Sequence, residues 1–162
     1  MIPSILRGLG ALVNDTNNLA GLAANLGQIL FTPPSVFNYY SPNYHIPSQF
    51  TPGLSVRGPE FQLQSPSAAV ARFNLVNTMI YTNLGAGAVI DLTPFSNLGS
   101  DSQSLVDAVN QAFLYGLMPA AMQTELLNAT GAVTGTTAAA NLARAQAALY
   151  LALSSSYYNV EH

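Results

Sequence analysis

The proline cadence of the second fifth of the chain limits its folding more than any other feature. Pro33, Pro34, Pro42, Pro47, Pro52 and Pro59 interrupt the stretch from Phe31 to Gln64. Each proline fixes φ and removes a backbone N–H, so a long helix is forbidden there and a central strand would lack ladder donors. Seven aromatic residues are interleaved with them: Phe31, Phe37, Tyr39, Tyr40, Tyr44, Phe50 and Phe61. The pattern predicts one long ordered loop without regular structure, its rings anchoring it to helices on either side. Phe37 and Phe61 are the expected buried anchors.

Helical periodicity surrounds that loop. Met1 to Leu30 reads as two short helices about the polar joint Asn14 to Asn18. The second, near residues 18–30, carries Leu19, Leu22, Leu26 and Leu30 on one face, with Asn17 or Asn18 as its cap. Ser65 as N-cap and Pro66 at the first position open a helix over 66–84, with Ala69, Val70, Phe73, Val76, Ile80 and Leu84 inward and Gly85 to Gly87 as its stop. A short extended piece, Ala88 to Leu92, precedes Pro94. Asp101 or Ser102 starts a helix over 102–115 that turns Leu105, Val106, Val109, Ala112 and Phe113 inward and stops at Gly116. Helices over 119–130 and 137–154 follow, the first with Met122, Leu126 and Leu127 inward and Gly131 past its end. The second is alanine-rich, with Leu142, Ala145, Leu149, Ala152 and Leu153 on a face. The predicted class is all-α: residues 1–162 as a single helical domain, a compact bundle of five to six helices with one long ordered proline- and aromatic-rich loop.

Composition excludes several functions. Charged residues are 7% of the chain, against about 25% usually, and the only bases beside two histidines are Arg7, Arg57, Arg72 and Arg144. Four arginines without lysine cannot neutralise a run of phosphates, so a nucleic-acid partner is not expected. The absence of cysteine removes disulfides, thiolate metal sites and thiol nucleophiles together. Asn, Ser, Thr and Gln supply 47 of the 162 residues, a surface common among exported bacterial proteins. The longest uncharged stretch, Thr16 to Val56, is broken by five prolines and fails as about 20 apolar residues, so no membrane span is expected. Met1 to Val13 has no basic start and carries Arg7 in its middle, so it is not read as a signal peptide.

Few side chains remain for chemistry. His162 is terminal, and His45 has no second histidine and no carboxylate nearer in sequence than Glu60. No metal site, cofactor or serine triad is expected from them. Asp91 and Asp101 stand where caps explain them, and Asp107 lies off the apolar stripe of its helix. No pair of groups suggests opposed pKa values, so no catalytic residue is assigned and the chain alone is expected to be inactive. Arg57 and Glu60 flank Gly58-Pro59 at the loop's exit, where an ion pair would act as a structural clamp. Tyr39, Tyr40 and Tyr44, with His45, are the candidate ligand-binding residues, because tyrosines suit glycan or partner recognition at low entropic cost. The alternative is that these rings only anchor the loop.

Several motifs occur in an order that resembles a known family. Leu26-Gly-Gln and Phe31-Thr-Pro-Pro-Ser-Val-Phe-Asn-Tyr-Tyr-Ser-Pro42 come first, then Gly58-Pro-Glu-Phe-Gln-Leu63 leading into Ser65-Pro-Ser. Leu105 to Val109, Leu114 to Met118 and Arg144 to Ser154 follow. Together they resemble the C-terminal part of the bacterial family catalogued as domain of unknown function 1800. The resemblance implies a piece of a longer protein, secreted or periplasmic in its full form, whose N-terminal part or another protein would be the partner. It carries no activity, so no catalytic residue comes with it. Three function classes follow as expectations: a structural or interaction module, a glycan- or polymer-binding module, and the C-terminal part of a secreted hydrolase.

Overall fold

The computed structural model of the protein describes residues 1–14, 17–29, 31–47, 56–82, 84 and 87–159. The chain forms two compact units, Met1–Asn14 with Val76–His162, and Asp15–Leu75.

The first unit is helical. Helix α1 (Ile2–Gly8) has Pro3 in its first turn and buries Ile2, Ile5 and Leu6, the spacing of one helical face. A Cβ on Gly8 would overlap the Phe113 ring, so only glycine lets α1 lie this close to helix α5 (Ser102–Phe113). Gly10, at φ 62°, releases the chain into strand β1 (Leu12–Val13). This pairs antiparallel with β2 (Ala88–Val89), Leu12 opposite Val89 and Val13 opposite Ala88. The class is therefore mostly helical rather than purely α. These short extended pieces satisfy each other's backbone groups, which helices could not do for them.

Helix α5 begins as expected at Asp101, whose carboxylate accepts from the Gln103 N–H at 3.0 Å. It buries Leu105, Val106, Val109 and Phe113, while Ala112 faces solvent, one step off the stripe. It ends at Phe113, and Tyr115 and Gly116 then adopt left-handed φ of 54° and 81°. Helix α6 (Ala120–Gly131) buries Met122, Leu126 and Thr130; Leu127 is half-buried, and Gly131 is the last helical residue rather than the one beyond. Thr130 is tolerated inside because its hydroxyl donates to the Leu126 carbonyl at 2.9 Å.

Helix α7 (Ala138–Ser154) is the hub, packing on α4 (Thr93–Ser96), α5, α6 and α8 (Ser156–Asn159). Thr137 caps it, accepting from the Ala140 N–H at 3.2 Å. Ala145, Ala148 and Ala152 are fully buried beside Leu149 and Leu153. Its alanines are thus the contact face itself, small enough for several helices to approach one axis. Leu142 was expected inward but is 38% exposed, because it lines an open cleft instead of the core. Gly99 touches α7 from the turn after α4, where a Cβ would sit 2.6 Å from the Asn141 carbonyl oxygen.

Helix α3 (Pro66–Asn77) starts as the sequence predicts, the Ser65 hydroxyl accepting from the Ala68 N–H at 3.1 Å. The boundary between the units falls within it, after Leu75. Val70 and Phe73, expected inward, are exposed. The stripe has the right period, but burial begins only at Leu75 and continues through Val76, Met79 and Ile80. The helix also does not run to residue 84: a π-helical turn, Thr78–Thr82, replaces its last part.

The second unit has a different build. Helix α2 (Asn17–Asn25) is shorter than the expected 18–30, and Leu19, Leu22 and Leu26 are only half-buried. Gly27, at φ 81°, stops it as the Gln28 N–H closes back on the Ala23 carbonyl at 3.0 Å. Between it and α3 the described residues carry one further helical element, a 3₁₀ turn, Pro59–Leu63. Leu30, Phe50, Gly85 and His162, named in the sequence reading, lie outside the described residues.

Candidate functional site

The ligand-binding and clamp candidates from sequence all fall in the second unit, where backbone hydrogen bonds join the segments that carry them. Ile46 N–H donates to the Val56 carbonyl at 2.9 Å and Gly58 N–H to Tyr44 at 3.1 Å. These bonds set His45 opposite Arg57 in an isolated antiparallel bridge. Gly58 is buried, and a Cβ there would press on the Phe61 ring at 2.8 Å and on the Ile46 side chain. Backbone bonds therefore hold the chain together next to Arg57 and Glu60. Among the described residues no ion pair joins the two, and both side chains face solvent.

Tyr39, Tyr40 and Tyr44 are half-buried, and His45 is exposed. The Tyr39 hydroxyl donates to the Ile29 carbonyl, so its single hydrogen is already committed. Ser41 N–H donates to the Gln62 side-chain carbonyl at 2.7 Å, tying this arm to the 3₁₀ turn. No group of three or more His, Cys, Asp or Glu side chains that could hold a metal occurs among the described residues.

Phe37 and Phe61 are not anchors: they are 59% and 56% exposed. The reason is local. Ser35 accepts from the Phe37 N–H through its hydroxyl and from the Asn38 N–H through its carbonyl, both at 3.1 Å. Asn38 sits at φ 74°. The turn is built from polar atoms, so its rings are free to point outward. Phe31 and Val36 are nearly fully exposed, at 97% and 94%. With Phe37, Phe61, Val70 and Phe73 they make the second unit's outstanding chemical property, a set of apolar side chains left in water.

The first unit holds two further concavities that sequence spacing did not reveal. One is a solvent-open cleft of about 580 Å³ between the π-helical turn, the segment Ile90–Ser96 and the start of α7. Its polar lining includes Asp91, Thr93, Ser96 and Gln146. The Thr93 hydroxyl and then its backbone N–H hold the Asp91 carboxyl below its ordinary pKa. Gln146 donates to the Ile80 carbonyl at 3.1 Å, tying α7 to the π-helical turn. The other is a smaller pocket of about 190 Å³ bounded by Phe113, Tyr115, Leu117, Tyr157 and Tyr158. Burial pushes the Tyr158 phenol up to about 12; the nearby Ser4 hydroxyl opposes the shift without completing a hydrogen bond.

Arg144 is the cation that sequence reasoning passed over as a mere motif residue. Its guanidinium donates to the carbonyls of Gly99 (3.3 Å), Val133 (2.7 Å) and Gly135 (2.6 Å), and to the Asn141 side chain at 2.9 Å. It fastens two turns to α7. A single arginine in a long alanine-rich helix was the available signal.

No helix among the described residues is long and apolar enough to cross a membrane. No curated protein and no solved structure matches the chain significantly. A family profile does match, over residues 1–160, and its description is Protein of unknown function (DUF1800). The order of motifs from Leu26 onward and this nearly complete match agree, and the chain belongs to that family.

Proposed function

We propose that this chain is a structural or interaction module that meets a protein partner through its second unit and has no catalytic activity of its own. The observation that supports this reading is the exposed apolar set Phe31, Val36, Phe37, Phe61, Val70 and Phe73. Moving one such side chain from water into a protein interface is worth about 1.5–3 kcal/mol, and isolated monomers rarely leave so many uncovered. The partner is a protein surface, in the rest of a longer polypeptide or on another chain. The scarcity of positive charge argues against nucleic acid. The amide- and hydroxyl-rich composition supports a secreted or periplasmic setting in a bacterium.

A glycan reading through Tyr39, Tyr40, Tyr44 and His45 gains less support. Those rings are half-buried and the Tyr39 hydrogen is spent on Ile29, whereas the side chains left free are phenylalanine and valine, with no hydrogen bond to offer. A photo-crosslinking residue at position 36, introduced into the protein in its native host, tests the reading. A discrete protein adduct is expected, absent when Phe31 and Phe37 are changed to serine and absent from a crosslinker at exposed position 125. Equal adducts from both positions would overturn it. The non-catalytic part is tested with ester, glycoside and phosphate substrates. Turnover that disappears in both His45→Ala and Glu60→Gln contradicts it.

A further inference from the structure

The cleft of the first unit has a hydrogen-bonding character that selects a ligand class. The hydrogens of its threonine and serine hydroxyls are already used within the protein. Thr82 donates to the Thr78 carbonyl at 3.2 Å and Ser96 to the Thr93 carbonyl at 3.3 Å. The Thr93 hydroxyl serves the Asp91 carboxylate, and Gln146 gives one amide hydrogen to Ile80. What these side chains retain toward a ligand is mostly lone pairs: those on Thr82 and Ser96, the Gln146 carbonyl and the lone pairs of the Asp91 carboxylate that Thr93 does not use. No arginine lines the cleft. Among the unit's described residues two arginines stand against four carboxylates, Asp91, Asp101, Asp107 and Glu125, and Arg144 is engaged by backbone carbonyls. The remaining wall is apolar, with Leu142 partly exposed beside it, and Tyr81 adds an aromatic ring.

We propose that this cleft binds a primary alkylammonium group, its N–H donors meeting Asp91, Thr82 and Ser96 and its alkyl chain lying along Leu142. Three donors with no acceptor match a lining rich in acceptors, and a fixed carboxylate offers a charge-assisted bond. The Tyr81 ring adds attraction for a cation. The volume lies in the range of small-molecule sites. An anion would meet Asp91 with no compensating cation. A neutral alcohol supplies one donor for several acceptors. A bare metal ion finds one carboxylate where a site needs several. The group could reach the cleft on a free polyamine or on a lysyl side chain, and the chemistry is the same.

The test is amide chemical-shift titration of the isotopically labelled chain with n-butylammonium, and with n-butanol and butyrate as matched controls. Saturable shifts are expected at residues 79–82, 91–96 and 142–146, at least about tenfold weaker with butanol and absent with butyrate. Asp91→Asn keeps the acceptor for Thr93 and should lose the ammonium response. Leu142→Trp fills the cleft and should lose it too, with helical circular dichroism retained in both. Putrescine binding more tightly than Nα-acetyl-lysinamide supports the site with a free polyamine as its ligand; the reverse order supports it with a lysyl side chain. Equal shifts with butylammonium and butanol, no saturable shift, or an undiminished response in folded Asp91→Asn would each overturn the proposal.

Discussion

Residues 17–75 and residues 76–159 draw on the same small vocabulary of apolar and uncharged polar side chains, and they solve folding in different ways. The later region closes its helices around Ala145, Ala148, Leu149, Ala152 and Leu153, each at most 1% exposed. In the earlier region only Gly58 and Leu75 are buried among the described residues, and its geometry rests on bonds such as Ile46 to Val56, Ser41 to Gln62 and Arg72 to Gln64. Polar bonds exposed to water contribute little net stability each, about 0.5–1.5 kcal/mol. Burial of whole side chains contributes more. The contrast shows that aromatic content by itself does not tell whether a ring is core. Where turns are closed by serine and asparagine, phenylalanine is left for another surface.

The comparison breaks most readily at the hub. Leu149→Ala removes a fully buried side chain where several helices converge, and the expected loss is about 2–5 kcal/mol. Thermal or denaturant unfolding followed by circular dichroism measures it. A loss below about 1 kcal/mol would mean that α7 is not the centre of the core. A smaller but still large effect is expected from Arg144→Met, which keeps the aliphatic stem and removes every donor. Three carbonyls lose a charged partner, and water can reach the one on Gly135, so about 2 kcal/mol is expected. Arg144→Lys should recover little, because a point charge cannot serve two turns with separate N–H groups.

The legible parts of the fold were those where local chemistry and burial coincide. Asp101 capping α5, Thr137 capping α7, Ser65 opening α3 and the extended scrap after Gly87 could all be read from neighbouring residues. Burial along α3 could not, because its apolar period runs unbroken from Ala69 to Ile80 while cover begins at Leu75. The π-helical turn leaves no mark in that period either. Arg144 and the cleft were hidden for a different reason. The backbone acceptors of Arg144 lie 45, 11 and 9 residues away, and the cleft joins segments around residues 80, 92 and 142. The tyrosine-loop candidates were recognisable as aromatic, but their half-burial depends on bonds such as Tyr39 to Ile29, which no spacing rule predicts.

Acid sharpens the comparison with a gentler perturbation, since depressed carboxyl groups serve the helical unit. The Ser104 hydroxyl first, then the backbone N–H groups of Ser104 and Gln103, hold Asp101 below its ordinary range. A carboxyl depressed on folding contributes stability above its unfolded value, about 3.9. That contribution fades as pH falls through the lower folded value. Unfolding midpoints measured from pH 5 downward should therefore fall, and more gently in Asp101→Asn, whose amide oxygen keeps the cap. Identical slopes in the two proteins would remove Asp101 from the acid response.

The smallest effect is expected at Phe37, and it decides the contrast between the regions. A phenylalanine anchored in a core costs about 3–5 kcal/mol when truncated to alanine. Phe37 is 59% exposed, and its place in the turn depends on its backbone N–H reaching the Ser35 hydroxyl, which alanine preserves. Phe37→Ala should therefore change stability by less than about 0.5 kcal/mol, as surface substitutions usually do. Ser35→Ala should cost more than Phe37→Ala, because it removes one of the two Ser35 acceptors that close the turn. Both are measured by denaturant unfolding of the same chain. A larger loss for Phe37→Ala than for Ser35→Ala would show that the ring supports the fold, and the division between a packed unit and a bonded one would fail at this loop.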